Sequence, residues 1–170
     1  MQIKNYVTYQ DEQKVLYQQV LVMSATIETI YPDYIDWYQK VFLTGLKRGE
    51  RALIVATNRK HLVGCALVKK TPDESKICTL FVHPDHRGKG IGTQLMKASL
   101  AYLGPHPLLT VSEQNLAQFQ PLLNKFNFHL DGQAKRGKHT EYYFNDRKRH
   151  LIKTGLIPVL LQRIKQLTQK

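Results

Sequence analysis

Ten consecutive residues, His83-Pro84-Asp85-His86-Arg87-Gly88-Lys89-Gly90-Ile91-Gly92, hold the densest chemistry in the chain. Gly88, Gly90 and Gly92 alternate with Lys89 and Ile91, and Arg87 stands just before them. Glycine leaves the backbone bare and permits left-handed turns, so a charged group can come close to the amides. Where such a turn opens a helix, the unpaired N–H groups and the positive end of the dipole make a site for a phosphate. Arg87 and Lys89 add charge to it. The spacing is neither that of the P-loop, which needs a Lys-Ser/Thr pair after Gly-x4-Gly, nor the Gly-x-Gly-x-x-Gly of dinucleotide folds.

The surrounding elements set this loop where it can work. Residues 76–82, Lys-Ile-Cys-Thr-Leu-Phe-Val, read as a strand entering the loop. Ile91, Leu95, Met96 and Leu100 give the next segment a core-facing helical stripe, which Gly104 and Pro105 stop. Upstream, residues 2–7 read as a strand. Residues 11–25 and 32–47 are amphipathic, and Pro32 and Asp33 suit a helix start. Residues 52–56 and 62–68 form a hairpin about Asn58-Arg59-Lys60. Downstream, residues 108–111 are a strand and 115–125 a helix despite Pro121, with residues 126–130 and 140–144 as a closing strand pair.

Residues 80–96, Leu-Phe-Val-His-Pro-Asp-His-Arg-Gly-Lys-Gly-Ile-Gly-Thr-Gln-Leu-Met, resemble motif A of the GNAT N-acetyltransferases. The motif core is Arg/Gln-x-x-Gly-x-Gly/Ala, and Arg87, Gly90 and Gly92 fill it. Leu62-Val63-Gly64-Cys65-Ala66 is similar to the family's preceding strand, and Leu109 to Asn115 is similar to motif B. The resemblance covers roughly residues 51–128. It implies a mixed α/β fold, a single domain whose central, mostly antiparallel twisted sheet of six or seven strands is flanked by helices. It also implies acetyl-CoA as donor and direct attack by an amine.

Under that resemblance the backbone of Leu80, Phe81 and Val82 holds the pantetheine and faces the thioester oxygen. Arg87, Gly88, Lys89, Gly90, Ile91, Gly92 and Thr93 surround the pyrophosphate, and Asn115 contacts the pantetheine arm. The family's usual Tyr after motif B is absent; Leu122 or Leu123 stands there, and Asn127-Phe128 replaces Gly-Phe. A lysine-like amine must lose a proton at a cost of roughly 4.6 kcal/mol at pH 7, whereas a thiol of pKa about 8.5 is already a tolerable leaving group. A base therefore matters more than the missing phenol. Counted back from Arg87, Glu74 matches the strand-start Glu of the histone-acetylating branch, with Glu50 and Glu113 behind it. Tyr143, Tyr142 and Ser112 are the candidates to protonate sulfur, and His83 and His86 are read as loop-surface residues. Tyr31, Tyr34, Trp37, Tyr38, Tyr142 and Tyr143 are expected either to line an acceptor pocket or to fill the core.

Composition agrees with one globular domain: 170 residues, 42% hydrophobic. No apolar run is long enough for a membrane span, the opening residues lack a secretory h-region, and two cysteines make no disulfide framework. A cytoplasmic protein, monomer or homodimer, without a metal site, is the expectation. The formal charge of +12, from 25 basic and 13 acidic residues, favours anionic partners. The acyltransferase domain is placed at residues 1–146. Residues 147–170 carry seven Lys/Arg and no acid and are read as a basic amphipathic helical extension.

The leading reading is transfer of acetyl from acetyl-CoA to a primary amine on a small molecule or protein. One alternative is a toxin-like member acetylating aminoacyl-tRNA, with nucleic acid a less favoured partner of the basic surface. The other is a CoA-binding module that performs no chemistry.

Overall fold

A computed structural model describes residues 1–146; the basic extension read at 147–170 lies outside the described residues. Seven strands form one sheet in the order β1-β2-β3-β4-β5-β7-β6. They are β1 (Gln2–Tyr6), β2 (Arg51–Asn58), β3 (His61–Lys70), β4 (Ser75–Val82), β5 (Leu108–Ser112), β6 (Leu130–Arg136) and β7 (His139–Phe144). All neighbours are antiparallel except β4 and β5. The expected mixed sheet is therefore present, with seven strands.

The helices cover both faces. On one lie α4 (Ile91–Leu103) and α5 (Glu113–Lys125), burying Leu95, Met96 and Leu123 against Ala66, Val68, Ile77 and Val111. On the other lie α1 (Lys14–Ser24), α2 (Tyr34–Trp37) and α3 (Leu43–Lys47), over Leu53, Cys65, Leu67 and Phe81. A π-helical turn, Tyr38–Phe42, joins α2 to α3. Its cause is legible in the spacing. Tyr34, Tyr38, Phe42 and Leu46 recur every fourth residue and are all buried, whereas an α-helix repeats every 3.6 residues and would rotate them away from one line. The wider turn keeps them on one face.

Tyrosines hold this layer together. Tyr38 Oη donates to the Tyr17 carbonyl (2.9 Å), and Ser24 Oγ pairs with Tyr34 Oη (2.9 Å). Burial pushes the Tyr34 and Tyr38 phenols far above their ordinary pKa, so both stay neutral hydrogen-bonding groups. Tyr34 and Tyr38 are thus core residues, and Tyr142 packs on the opposite face.

Two elements differ from the sequence reading. The closing pair is β6 with β7, so its first strand starts at Leu130 rather than residue 126. Residues 126–129 make the exit turn of α5, where Asn127 takes a left-handed φ of +54°. Strand β6 is an edge strand whose Leu-Asp-Gly-Gln-Ala-Lys-Arg sequence shows no apolar alternation because little of it is buried. The β2–β3 hairpin turns on Arg59 and Lys60, both at positive φ (47° and 69°), the mirror-image turn that matches strand twist.

Candidate active site: a wedge between two strands

Strands β4 and β5 pair only at Lys76↔Leu108 and Ile77↔Leu109. Beyond these residues they part. The cause lies in β4: Leu67 faces Thr79 and Val68 faces Ile77, so Cys78 is one residue more than β3 can pair. Such a bulge bends and twists its strand away from the neighbour.

Backbone groups line the opening. The His83 N–H donates to the Val63 carbonyl on β3 (3.0 Å). Hydrogen-bonding direction alternates along an antiparallel strand, so Phe81 and Thr79 also turn towards β3. The N–H groups of Leu80 and Val82 then point into the wedge. Arg87 Nε caps the outward carbonyl of Val82 (3.1 Å).

At the mouth of the wedge α4 begins. Gly88 (φ +73°) and Gly90 (φ +76°) are left-handed, and Gly90 caps the helix with no side chain bonding its first amides. Between this helix start, the end of β4 and α5 lies a cleft of ≈ 380 Å³. Leu80, Val82, Arg87, Gly88, Gly90, Ile91, Gly92 and Thr93 line it from the first two elements, with His86. Helix α5 contributes Gln118, Phe119, Pro121 and Leu122. A Cβ on Gly92 would stand 3.4 Å from Leu122 Cδ1 and 3.8 Å from Val82 Cγ2, so glycine there keeps the cleft's throat open.

Most of the residues singled out in the sequence thus converge, with exceptions. Phe81 is buried among the tyrosines of the far face. Lys89 is turned onto the Asp85 carbonyl (2.9 Å) and lies outside the lining. Asn115 sits half-buried in the first turn of α5; at i, i+3, i+4 and i+7 it shares a helix face with Gln118, Phe119 and Leu122. His86, read as a surface residue, lines the cleft. Gln118, Phe119 and Pro121 were missed, since their only sequence signal was that helical spacing.

The two catalytic candidates are not brought together. Glu74 precedes β4, and its Oε2 pairs with Lys69 Nζ at 2.7 Å. At about 3.3 Å per residue, six residues separate it from Leu80 by roughly 20 Å. We predict that Glu74→Gln retains acetyl-transfer turnover within about threefold of wild type; a loss above tenfold in steady-state assays would restore it as the base. Tyr143 is half-buried on β7, opposite Thr110.

A different carboxylate lies at the wedge. Ser112, the last residue of β5, pairs in register with Glu141 of β7, and both are buried (1% and 3% exposed). Tyr31, from the α1–α2 connection, donates its hydroxyl to Glu141 Oε1. Burial first, then the Glu141 carboxylate, raise the Tyr31 pKa far above that of a free phenol. Ser112 Oγ has no partner of good hydrogen-bond geometry, although it is near enough to Tyr31 to oppose that rise. Three residues further on, Tyr34 interacts with Thr79 of β4. The α1–α2 connection therefore bridges both lips of the wedge, on the face opposite the cleft.

The family model for the acetyltransferase (GNAT) family matches residues 16–128, which span the wedge, the cleft and both helix layers. The chain belongs to the GNAT acetyltransferases. No curated protein matches it. The fold is similar to that of a GNAT-family protein from Desulfovibrio desulfuricans, with TM-score 0.66 and 16% identity over 84% of this chain and 96% of that one. It is also similar to an aminoglycoside 6'-N-acetyltransferase complexed with coenzyme A, at TM-score 0.62 and 14% identity over 85% and 95%. A third similar structure is the PaiA N-acetyltransferase of Thermoplasma acidophilum, also with coenzyme A, at TM-score 0.59 and 18% identity over 84% and 98%. As a GNAT acetyltransferase, the protein is an enzyme that uses acetyl-CoA as its acyl donor.

Proposed function

We propose that the protein transfers the acetyl group of acetyl-CoA to a primary amine, with donor and acceptor meeting from opposite faces of the sheet at the β4–β5 wedge. The observation that carries this is the wedge itself: a slot through the sheet with a glycine-opened helix start on one face and a polar aromatic cluster on the other.

The residues suit these tasks. The backbone of Gly88, Gly90, Ile91, Gly92 and Thr93, which lines the cleft with no side chain capping the helix start, binds the pyrophosphate, with Arg87 beside it. Gln118, Phe119 and Leu122 form a wall for the pantetheine arm, which Asn115 continues along the same helix face. The Leu80 and Val82 N–H groups stand where a thioester oxygen gains negative charge, and fixed donors at that point commonly contribute about 3–4 kcal/mol. Since the thiol leaves readily near neutrality, Leu122 in the usual tyrosine position costs little.

Coenzyme A alone should raise the melting temperature, and acetyl-CoA with a panel of primary amines should release free thiol in step with acetylated amine. A thermal shift without thiol release on any amine would convert the reading to that of a non-catalytic CoA-binding module. Absence of both would remove it.

A further inference from the structure

Two of the three buried side-chain polar atoms without partners among the described residues, Ser112 Oγ and His139 Nε2, lie in one place. The His139 ring meets the Tyr31 ring edge-on, centroids 5.2 Å apart, and Tyr31 in turn bonds Glu141. Native proteins rarely leave such atoms unsatisfied, and where they do a ligand or water commonly completes them.

The carboxylate beside them carries one hydrogen bond among the described residues. Glu141 is 3% exposed, and among the described residues its side chain bonds only Tyr31; no lysine, arginine or histidine forms an ion pair with it. Taking a carboxylate out of water costs several kcal/mol unless a cation or several donors compensate. One phenol supplies one of those donors. Among the described residues the cation that acts on Tyr31 is Arg136.

Resting on the reading of the wedge as the transfer site, we propose that Glu141 receives the acceptor as its ammonium ion and takes its proton. The acceptor class is then a primary alkylamine, protonated in solution. Its N–H groups satisfy the free side of the Glu141 carboxylate and Ser112 Oγ, and the Tyr31 and His139 rings flank it. Proton transfer to Glu141 leaves a neutral amine whose lone pair forms the C–N bond as the C–S bond breaks. A second proton from that nitrogen neutralises the departing thiolate, and Glu141 returns its proton to solvent. The reaction balances as alkylammonium plus thioester giving amide, thiol and one proton.

Tyr31 is a positioning residue in this scheme. Its high pKa keeps the phenol a donor, so Glu141 remains the acceptor of their hydrogen bond. Among the described residues, Tyr31 from the α1–α2 connection bonds the carboxylate, Ser112 of β5 stands opposite it in register, His139 of β7 packs on Tyr31, and Arg136 of β6 acts on Tyr31.

The test compares wild type, Glu141→Gln and Glu141→Asp with two acceptors, n-propylamine and an arylamine already unprotonated at neutral pH. All variants are first checked for a thermal shift by coenzyme A, which the cluster does not touch. Glu141→Gln should keep that shift and lose about 10²–10⁴-fold in kcat on propylamine, the usual range for a lost general base. Its rate should climb about tenfold per pH unit towards the amine pKa of about 10.4. On the arylamine the loss should stay within about fivefold, and Glu141→Asp should recover part of the alkylamine rate.

Equal losses on both acceptors, or a propylamine rate within threefold of wild type, would overturn the assignment. Should Glu141→Gln not fold, the same ratio of alkylamine to arylamine loss is read on Glu141→Asp, where a ratio of one refutes it. A wild type that shows no coenzyme A shift condemns the parent reading instead and leaves this outcome distinguishable.

Discussion

Replacing Gly92 by valine should abolish measurable coenzyme A binding while leaving the protein folded. Gly92 is the second residue of α4 and lies where the helix start, Val82 and Leu122 converge. A Cβ at ordinary contact distance from Leu122 and Val82 disturbs no backbone atom, so the fold accommodates it. The branches of valine, however, fill the throat that the proposed function assigns to the pantetheine arm. We expect Kd to rise at least about 100-fold, equivalent to about 2.7 kcal/mol, with a melting temperature within a few degrees of wild type. Gly92→Ala should show the conflict in milder form: helix propensity gains up to about 1 kcal/mol over glycine, while affinity falls. Calorimetry and thermal melts on the same samples read both signs. Undiminished affinity in Gly92→Val would show that the ligand avoids this cleft.

The second large effect falls on stability. Gly64 of β3 lies beneath α4, and a Cβ there would stand 2.9 Å from the Phe81 carbonyl oxygen and 3.1 Å from Leu95 Cδ1. The first contact is with backbone that is tied into the β3–β4 ladder, so it cannot rotate away. Gly64→Val must therefore lift α4 or displace the end of β4. Overpacking of this kind typically costs about 1–3 kcal/mol, occasionally more. At about 2–4 °C per kcal/mol for a chain of this size, the melting temperature should fall by roughly 2–12 °C. Coenzyme A affinity should fall with it, because the displaced strand carries Leu80 and Val82. A melting point within 2 °C of wild type would mean that the α4–β3 contact is looser than described.

The helix start and its glycines were legible because their chemistry is local: three alternating glycines, two cations and the following apolar stripe lie in one stretch of chain. The hairpin, α4 and the strand before it were legible by period and punctuation for the same reason. The cluster on the other face was legible only in pieces, Tyr31 and Ser112 separately and Glu141 not at all. Tyr31, Ser112 and Glu141 lie far apart in the chain, and only the β5–β7 register and the α1–α2 connection make them neighbours. Glu74 was favoured by counting along the chain from Arg87, but a strand spends that count as distance, and the residue ends at the opposite end of β4. Phe81 was placed with Leu80 and Val82 for its backbone, yet hydrogen-bonding direction alternates along a strand and turns its N–H towards β3.

The extra residue at Cys78 has a consequence for how this enzyme can change. The slot exists because two neighbouring strands hold unequal numbers of residues, an arithmetic mismatch in the ladder and not a hole left by small side chains. Substitutions along β4 and β5 can therefore redecorate its walls and alter what fits, while its existence is insured against them. An insertion or deletion at that point reaches the opening directly, so this part of the chain is more tolerant of exchange than of a change in length.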